Sequence, residues 1–134
     1  MQSGFFFRNN IVTHGDYGLF GTDMGEGTST LDHYFPGYIF QKNAIIGGGS
    51  ASAYPSGTFF PASLTDVGFV NAAGGDYHLD TSSPYKNAGT DGKDIGADID
   101  AIQAATACVI SGVCGISPIS DAIPPAAPTG LKLR

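Results

Sequence analysis

VGFVNAAGGDYHLDTSSPYKNAGTDGKDIGA, residues 67–97, alternates short runs that favour extended backbone with bends that few residue types tolerate. Phe69 and Val70 open a strand, an Asn-Gly-rich bend follows, and Asp76, Tyr77 and Leu79 make a second strand. Ser82-Ser83-Pro84 then turns the chain, and another Gly-rich bend ends in Asp94-Ile95-Gly96-Ala97. Glycine is costly inside regular elements but natural at bends with positive φ. Twenty glycines set between short β-branched or aromatic runs therefore predict an all-β chain, with this stretch as its closing turn.

A closing turn implies earlier ones, and an internal repeat supplies them. Phe7-Arg8-Asn9-Asn10-Ile11-Val12 and Phe40-Gln41-Lys42-Asn43-Ala44-Ile45 share the pattern Phe-x-x-Asn-x-(Ile/Val), 33 residues apart. That period falls in the range of architectures whose units bury an apolar face only by stacking on the next. Stacked parallel strands would bring equivalent positions into ladders. Asn10 and Asn43 are then candidates for an asparagine ladder at a corner, where a side-chain amide satisfies backbone groups left over by the bend; the alternative is two surface turn residues.

With its Asp-Tyr-x-Leu strand and Asp-Ile-Gly-Ala ending, the chain resembles the terminal segment of secreted right-handed parallel β-helix proteins, the pectate-lyase-like superfamily. The resemblance spans roughly residues 5–97. It implies an all-β fold, a right-handed parallel β-helix fragment of two to three coils closed by a short C-terminal helix. It also implies a secreted or cell-surface protein and activities ranging from polysaccharide lyase and glycoside hydrolase to non-catalytic surface binding. Residues 1–97 would be the coils, 98–116 a helical cap, and 117–134 a Pro-rich linker. The closing Ala127-Pro128-Thr129-Gly130-Leu131-Lys132-Leu133 is similar to the first strand of a fibronectin type III module. The partners implied are a polysaccharide or cell-surface glycan, preceding coils and a following module.

Twelve acidic and six basic residues give a net charge of −6. Nucleic-acid binding needs clustered Lys and Arg and is excluded on that ground. No apolar run reaches the ~20 residues needed to cross a bilayer, so membrane insertion is not expected. MQSGFFFRNN has neither a basic n-region nor a long apolar h-region. Met1 thus reads as an internal methionine, with any export signal upstream. Phe5, Phe6 and Phe7 predict a sticky N-terminal face. After Ala97, Asp98 is a candidate N-cap for a helix with apolar residues at Ile99, Ile102, Ala105 and Val109. Cys108 and Cys114 form either a loop-closing disulfide or a pair of buried thiols, and they lack the further ligands zinc requires.

Residues 13–37 are longer than one strand and bend need, and predict a strand over Tyr17–Phe20 plus a protruding loop. The loop collects His14, Asp16, Asp23, Glu26, Asp32 and His33, weak candidates for acid–base chemistry because neighbouring carboxylates can divide into acid and base. No catalytic residue is assigned, since none of them matches the motifs of the superfamily's polygalacturonases or pectate lyases. Tyr34, with His33 and Tyr38, is the candidate sugar-contact group, because aromatic rings offer flat apolar faces with polar edges. Residues 47–61, GGGSASAYPSGTFFP, read as a second loop. Asp91, Asp94 and Asp98 superficially resemble a calcium loop but lack the spacing and terminal Glu of an EF-hand; no cofactor is assigned, and Ca2+ is the ion such a loop would take. His78 alternates with apolar neighbours and is expected to face solvent as a structural residue.

Overall fold

The computed structural model of the chain describes residues 2–112. Each copy of the repeat folds as strand, bend, strand. β1 (Phe6–Arg8) and β2 (Ile11–Thr13) flank Asn9, whose φ is 59°, and β3 (Ile39–Gln41) and β4 (Ala44–Ile46) flank Lys42, whose φ is 53°. The two left-handed bends occupy equivalent places in the repeat, and this lets the copies superimpose. β1 pairs in parallel with β3 and β2 with β4, in the register Phe7 with Phe40 and Val12 with Ile45.

The corner between the pairs is held by amides. Asn43, fully buried, accepts hydrogen bonds at Oδ1 from the Asn10 backbone N–H (3.1 Å) and from Asn10 Nδ2 (3.0 Å), and its own Nδ2 donates to the Phe7 carbonyl (2.8 Å). At this bend the Asn10 N–H has no ladder partner, and a buried unpaired amide would be costly.

Strand alternation gives β2 and β4 two apolar faces. Val12 and Ile45 join Leu31, Phe7, Phe40, Tyr54 and Phe60 in an aromatic core, in which the Phe7 and Phe40 rings stack at 5.3 Å. Ile11, Ala44 and Ile46 face the other way, onto Val67, Leu79, Tyr85 and Ile95. Phe59 adds a third parallel rung beside Ala44 through Ile45 N–H to the Phe59 carbonyl (2.9 Å) and Phe59 N–H to the Asn43 carbonyl (2.8 Å).

The expected right-handed parallel β-helix of two to three coils is not what the chain forms. Its described strands lie in three separate two-stranded sheets, none closing into a solenoid. Residues 67–97 do not stack as a further coil. They fold back over the second apolar face of β2 and β4, which a single stacked coil would have left uncovered. There β5 (Phe69–Asn71) and β6 (Asp76–Leu79) pair antiparallel. Asn9 anchors the returning chain: its carbonyl accepts from Gly96 N–H (2.9 Å), its Oδ1 from Thr90 N–H (2.9 Å), and its Nδ2 donates to Thr90 Oγ1 (2.9 Å).

Nor is the chain all-β. Helix α1 (Thr28–Tyr34) buries Thr30 and Leu31, and Tyr17–Phe20 is a turn rather than the expected strand. Helix α2 (Ile99–Ser111) starts at Asp98, whose carboxylate accepts from Ala101 N–H (2.9 Å), but Ile102 and Val109 are exposed instead of sealing the core. Cys108 lies on α2; Cys114, the loop it would close, the Pro-rich linker and the fibronectin-like segment lie outside the described residues. Replacing Asn43 with Ala strands the Asn10 N–H and takes a second bond from the Phe7 carbonyl, and should cost about 1–3 kcal/mol, read as a drop in the urea midpoint. Asn71→Ala, at an exposed turn, should cost well under half as much.

Candidate functional site

The loop between β2 and α1 carries the polar candidates, and it is clamped rather than free. His14 directly follows β2, its N–H donating to the Ile46 carbonyl (2.8 Å), and the Gly18 N–H returns to the His14 carbonyl (3.0 Å). This turn aims the imidazole at Glu26: Nε2 lies 2.6 Å from Oε1, while Nδ1 lies 2.9 Å from the Gly15 carbonyl. The Glu26 hydrogen bond, helped by the Gly15 carbonyl, raises the His14 pKa above its ordinary value, and the bond to His14 holds the Glu26 carboxyl below its own. The charged pair is therefore favoured.

Tyr54 completes the clamp from the residue 47–61 loop. Its hydroxyl accepts the Leu19 N–H (3.0 Å) and donates to Glu26, and burial pushes its pKa up to about 12. The three polar tips converge on Gly18, where a Cβ would stand 2.5 Å from His14 Nε2 and Tyr54 Oη and 2.7 Å from Glu26 Oε1. Beside it, Gly27 N–H bonds the Leu19 carbonyl (2.8 Å) and Thr28 N–H the Ala53 carbonyl (2.7 Å), fixing both ends of the loop.

Of the six acid–base candidates, the fold brings only His14 and Glu26 together. Asp16 and Asp23 are exposed, Asp23 at a left-handed turn position with φ 62°. Asp32 and His33 stand exposed on α1, Asp32 bonding the Tyr38 hydroxyl. Glycosidase chemistry needs two carboxyl groups flanking one bond. Glu26 has no such companion, and its oxygens are taken up by His14 and Tyr54.

The expected sugar-contact rings are mostly occupied. Tyr34 is half-buried, donates its hydroxyl to the Thr22 carbonyl (2.8 Å) and meets the His33 ring edge-on at 4.6 Å. Tyr38 packs against the aromatic core, and burial is the main cause of its raised pKa. Phe6 and Tyr77 are open rings elsewhere on the surface, while on this loop Tyr17 and Phe20, 74% and 56% exposed, form an open pair with centroids 6.3 Å apart and planes inclined by 40°. They come from the segment read as a strand. Their signal was the glycine at positions 15, 18 and 21, which permits bends that turn Leu19 inward and leave both rings outside.

The three metal candidates separate into three local tasks. Asp91 Oδ1 accepts from Lys93 N–H (3.1 Å), Asp94 binds the Asn87 N–H (2.9 Å) and Lys86 Nζ (3.0 Å), and Asp98 caps α2. The Asn87 N–H is the main cause holding Asp94 below the usual carboxylate range. Among the described residues no group of three or more His, Cys, Asp and Glu converges on one point. His78 does not point freely to solvent: it lies half-buried between Asp76 and Asp100, with Nε2 3.2 Å from Asp100 Oδ1. Comparisons of the chain with protein-family models, curated proteins and solved structures return no match.

Gly18→Ala combines a clash with a left-handed backbone (φ 63°) and should cost about 1–3 kcal/mol by urea denaturation. The ion pair also has a pH signature. His14, its pKa raised in the folded chain, contributes fully below its ordinary value of 6.5 and loses that contribution as pH rises through the raised value. Glu26, its pKa lowered, contributes fully above its ordinary 4.5 and loses that as pH falls through the lowered value. The stability difference between the native chain and Glu26→Gln should therefore peak between pH 4.5 and 6.5 and shrink on both sides.

Proposed function

We propose that this chain is a non-catalytic carbohydrate-binding element of a secreted or surface protein, and that it contacts its polysaccharide through Tyr17 and Phe20. The observation that carries the reading is the pair of open rings, side by side on a loop clamped at His14, Glu26 and Tyr54. A pre-ordered loop loses little conformational freedom on binding, and pyranose rings pack on aromatic faces. Asp16 and Asp23 near the rings can accept hydrogen bonds from sugar hydroxyls. Uncharged chains suit the site better than polyuronates: the loop that displays the rings carries Asp16 and Asp23 and no Lys or Arg.

The test is a glycan array of the purified chain, with and without calcium, beside a product assay on pectin and neutral polysaccharides. Binding without turnover is expected, independent of calcium. Tyr17→Ala with Phe20→Ala should weaken it about tenfold, with unchanged urea stability. No binding from a folded sample, or binding indifferent to the double substitution, overturns the reading. A second reading rests on the carboxylate–histidine pair: product formation that disappears in Glu26→Gln would make the clamp an active site.

A further inference from the structure

Among the described residues β2 pairs with β4 alone, and its other side is open. The Asn10 carbonyl accepts from Ala44 N–H (2.8 Å) and the His14 N–H donates to the Ile46 carbonyl (2.8 Å), so residues 10, 12 and 14 spend their backbone groups on β4. In a parallel ladder the intervening residues face the opposite edge. Ile11 and Thr13 therefore present N–H and C=O groups away from β4, and among the described residues none of these has a partner. The asparagine ladder is open at the same end: Asn10 donates to the Arg8 carbonyl and to Asn43, but among the described residues nothing donates to Asn10 Oδ1.

Hollows flank this edge on both faces. On one side Ile11, Ile46, Leu64, Phe69, Tyr77 and Ile99 line a groove of about 780 Å3 that reaches the start of α2. On the other, Phe5, Phe7, Val12, Leu19 and Tyr54 line a hollow of about 190 Å3. A strand added beside β2 would send alternate side chains into the two spaces, the arrangement by which an exposed edge recognises an extended peptide.

We infer that the β2 edge is a docking site for an extended, parallel strand from another polypeptide, carrying the pattern Phe-x-x-Asn-x-(Ile/Val). The pattern follows from continuity with the contact already built. Residues 40–45 engage residues 7–12 by the Phe7–Phe40 stack, the Asn10–Asn43 bonds and the Val12–Ile45 pairing. Because 7–12 carry the same pattern, their open side offers the same features to one more rung: the Phe7 ring, the Asn10 Oδ1 acceptor and the Val12 side chain. The incoming Asn would donate its backbone and side-chain N–H to Asn10 Oδ1, as Asn10 does to Asn43.

The probe is a synthetic peptide of the sequence YIFQKNAII, residues 38–46, titrated into the chain while amide hydrogen exchange is followed. New protection at Ile11 and Thr13 is expected, with Ile45 and Phe59 unchanged. Exchanging the peptide's Asn for Leu, or Thr13→Pro in the protein, should each weaken binding about tenfold or more. Thr13→Pro removes an outward N–H and leaves the bonds from β2 to β4 in place, so its urea midpoint should stay close to that of the native chain. Absence of binding overturns the inference, as does binding indifferent to Thr13→Pro. Loss of protection at Ile45 and Phe59 would mean that the peptide displaces β3 and β4 rather than adding to β2. Protection of Ile11 and Thr13 without peptide, in a self-associated chain, would place a second copy at the edge instead.

Discussion

The buried Asn43 amide is the point from which the rest of the molecule is positioned. A strand-bend-strand unit leaves backbone groups at its corner that neither flanking ladder can use, and burying them unpaired would be prohibitive in a chain of modest core. Asn43 satisfies the Asn10 N–H, ties in the Asn10 side chain and the Phe7 carbonyl, and thereby fixes the register of both parallel pairs. A slip of one residue would turn every side chain of β2 and β4 to the wrong face. It would also separate Phe7 from Phe40 and expose the aromatic column that runs from Phe5 to Phe60.

That register makes β2 and β4 apolar on both faces, and the two faces do different work. One closes over the aromatic core, from which Tyr54 reaches out to the loop; the other receives residues 67–97 as a returning flap pinned by Asn9. The loop after β2 inherits its rigidity from this arrangement. His14 is placed by the end of β2, Tyr54 by its burial among aromatic rings, and Glu26 is drawn to both. The exposed rings of Tyr17 and Phe20 are consequently displayed on an ordered scaffold, although no regular element contains them.

The electrostatics of this loop act first on its own rigidity. A general acid or base works with a pKa near the operating pH and a free line of approach to substrate. His14 and Glu26 are pushed apart in pKa and face each other at hydrogen-bond distance, which stabilises the loop. Asp76 and Asp100 likewise raise the His78 pKa, chiefly through the Asp76 hydrogen bond.

Sequence alone was enough for what depends on short range or on repetition. The 33-residue spacing of Phe-x-x-Asn-x-(Ile/Val) corresponds to the parallel register seen, because equivalent residues in stacked units must meet, and Asp98 announced the start of α2 because an N-cap is a local bond. It did not reveal where residues 67–97 would go. Their Gly-rich alternation suits a stacked coil and a flap that folds back equally well, since both ask for short strands and tight bends. The choice fell to the second apolar face of β2 and β4, which exists only once those strands are paired. The same holds for the loop: Tyr34 and Tyr38 are no less aromatic than Tyr17 and Phe20, and only the fold determines which rings find a buried neighbour. Burial is a property of the assembled core, and no residue carries it in its own name.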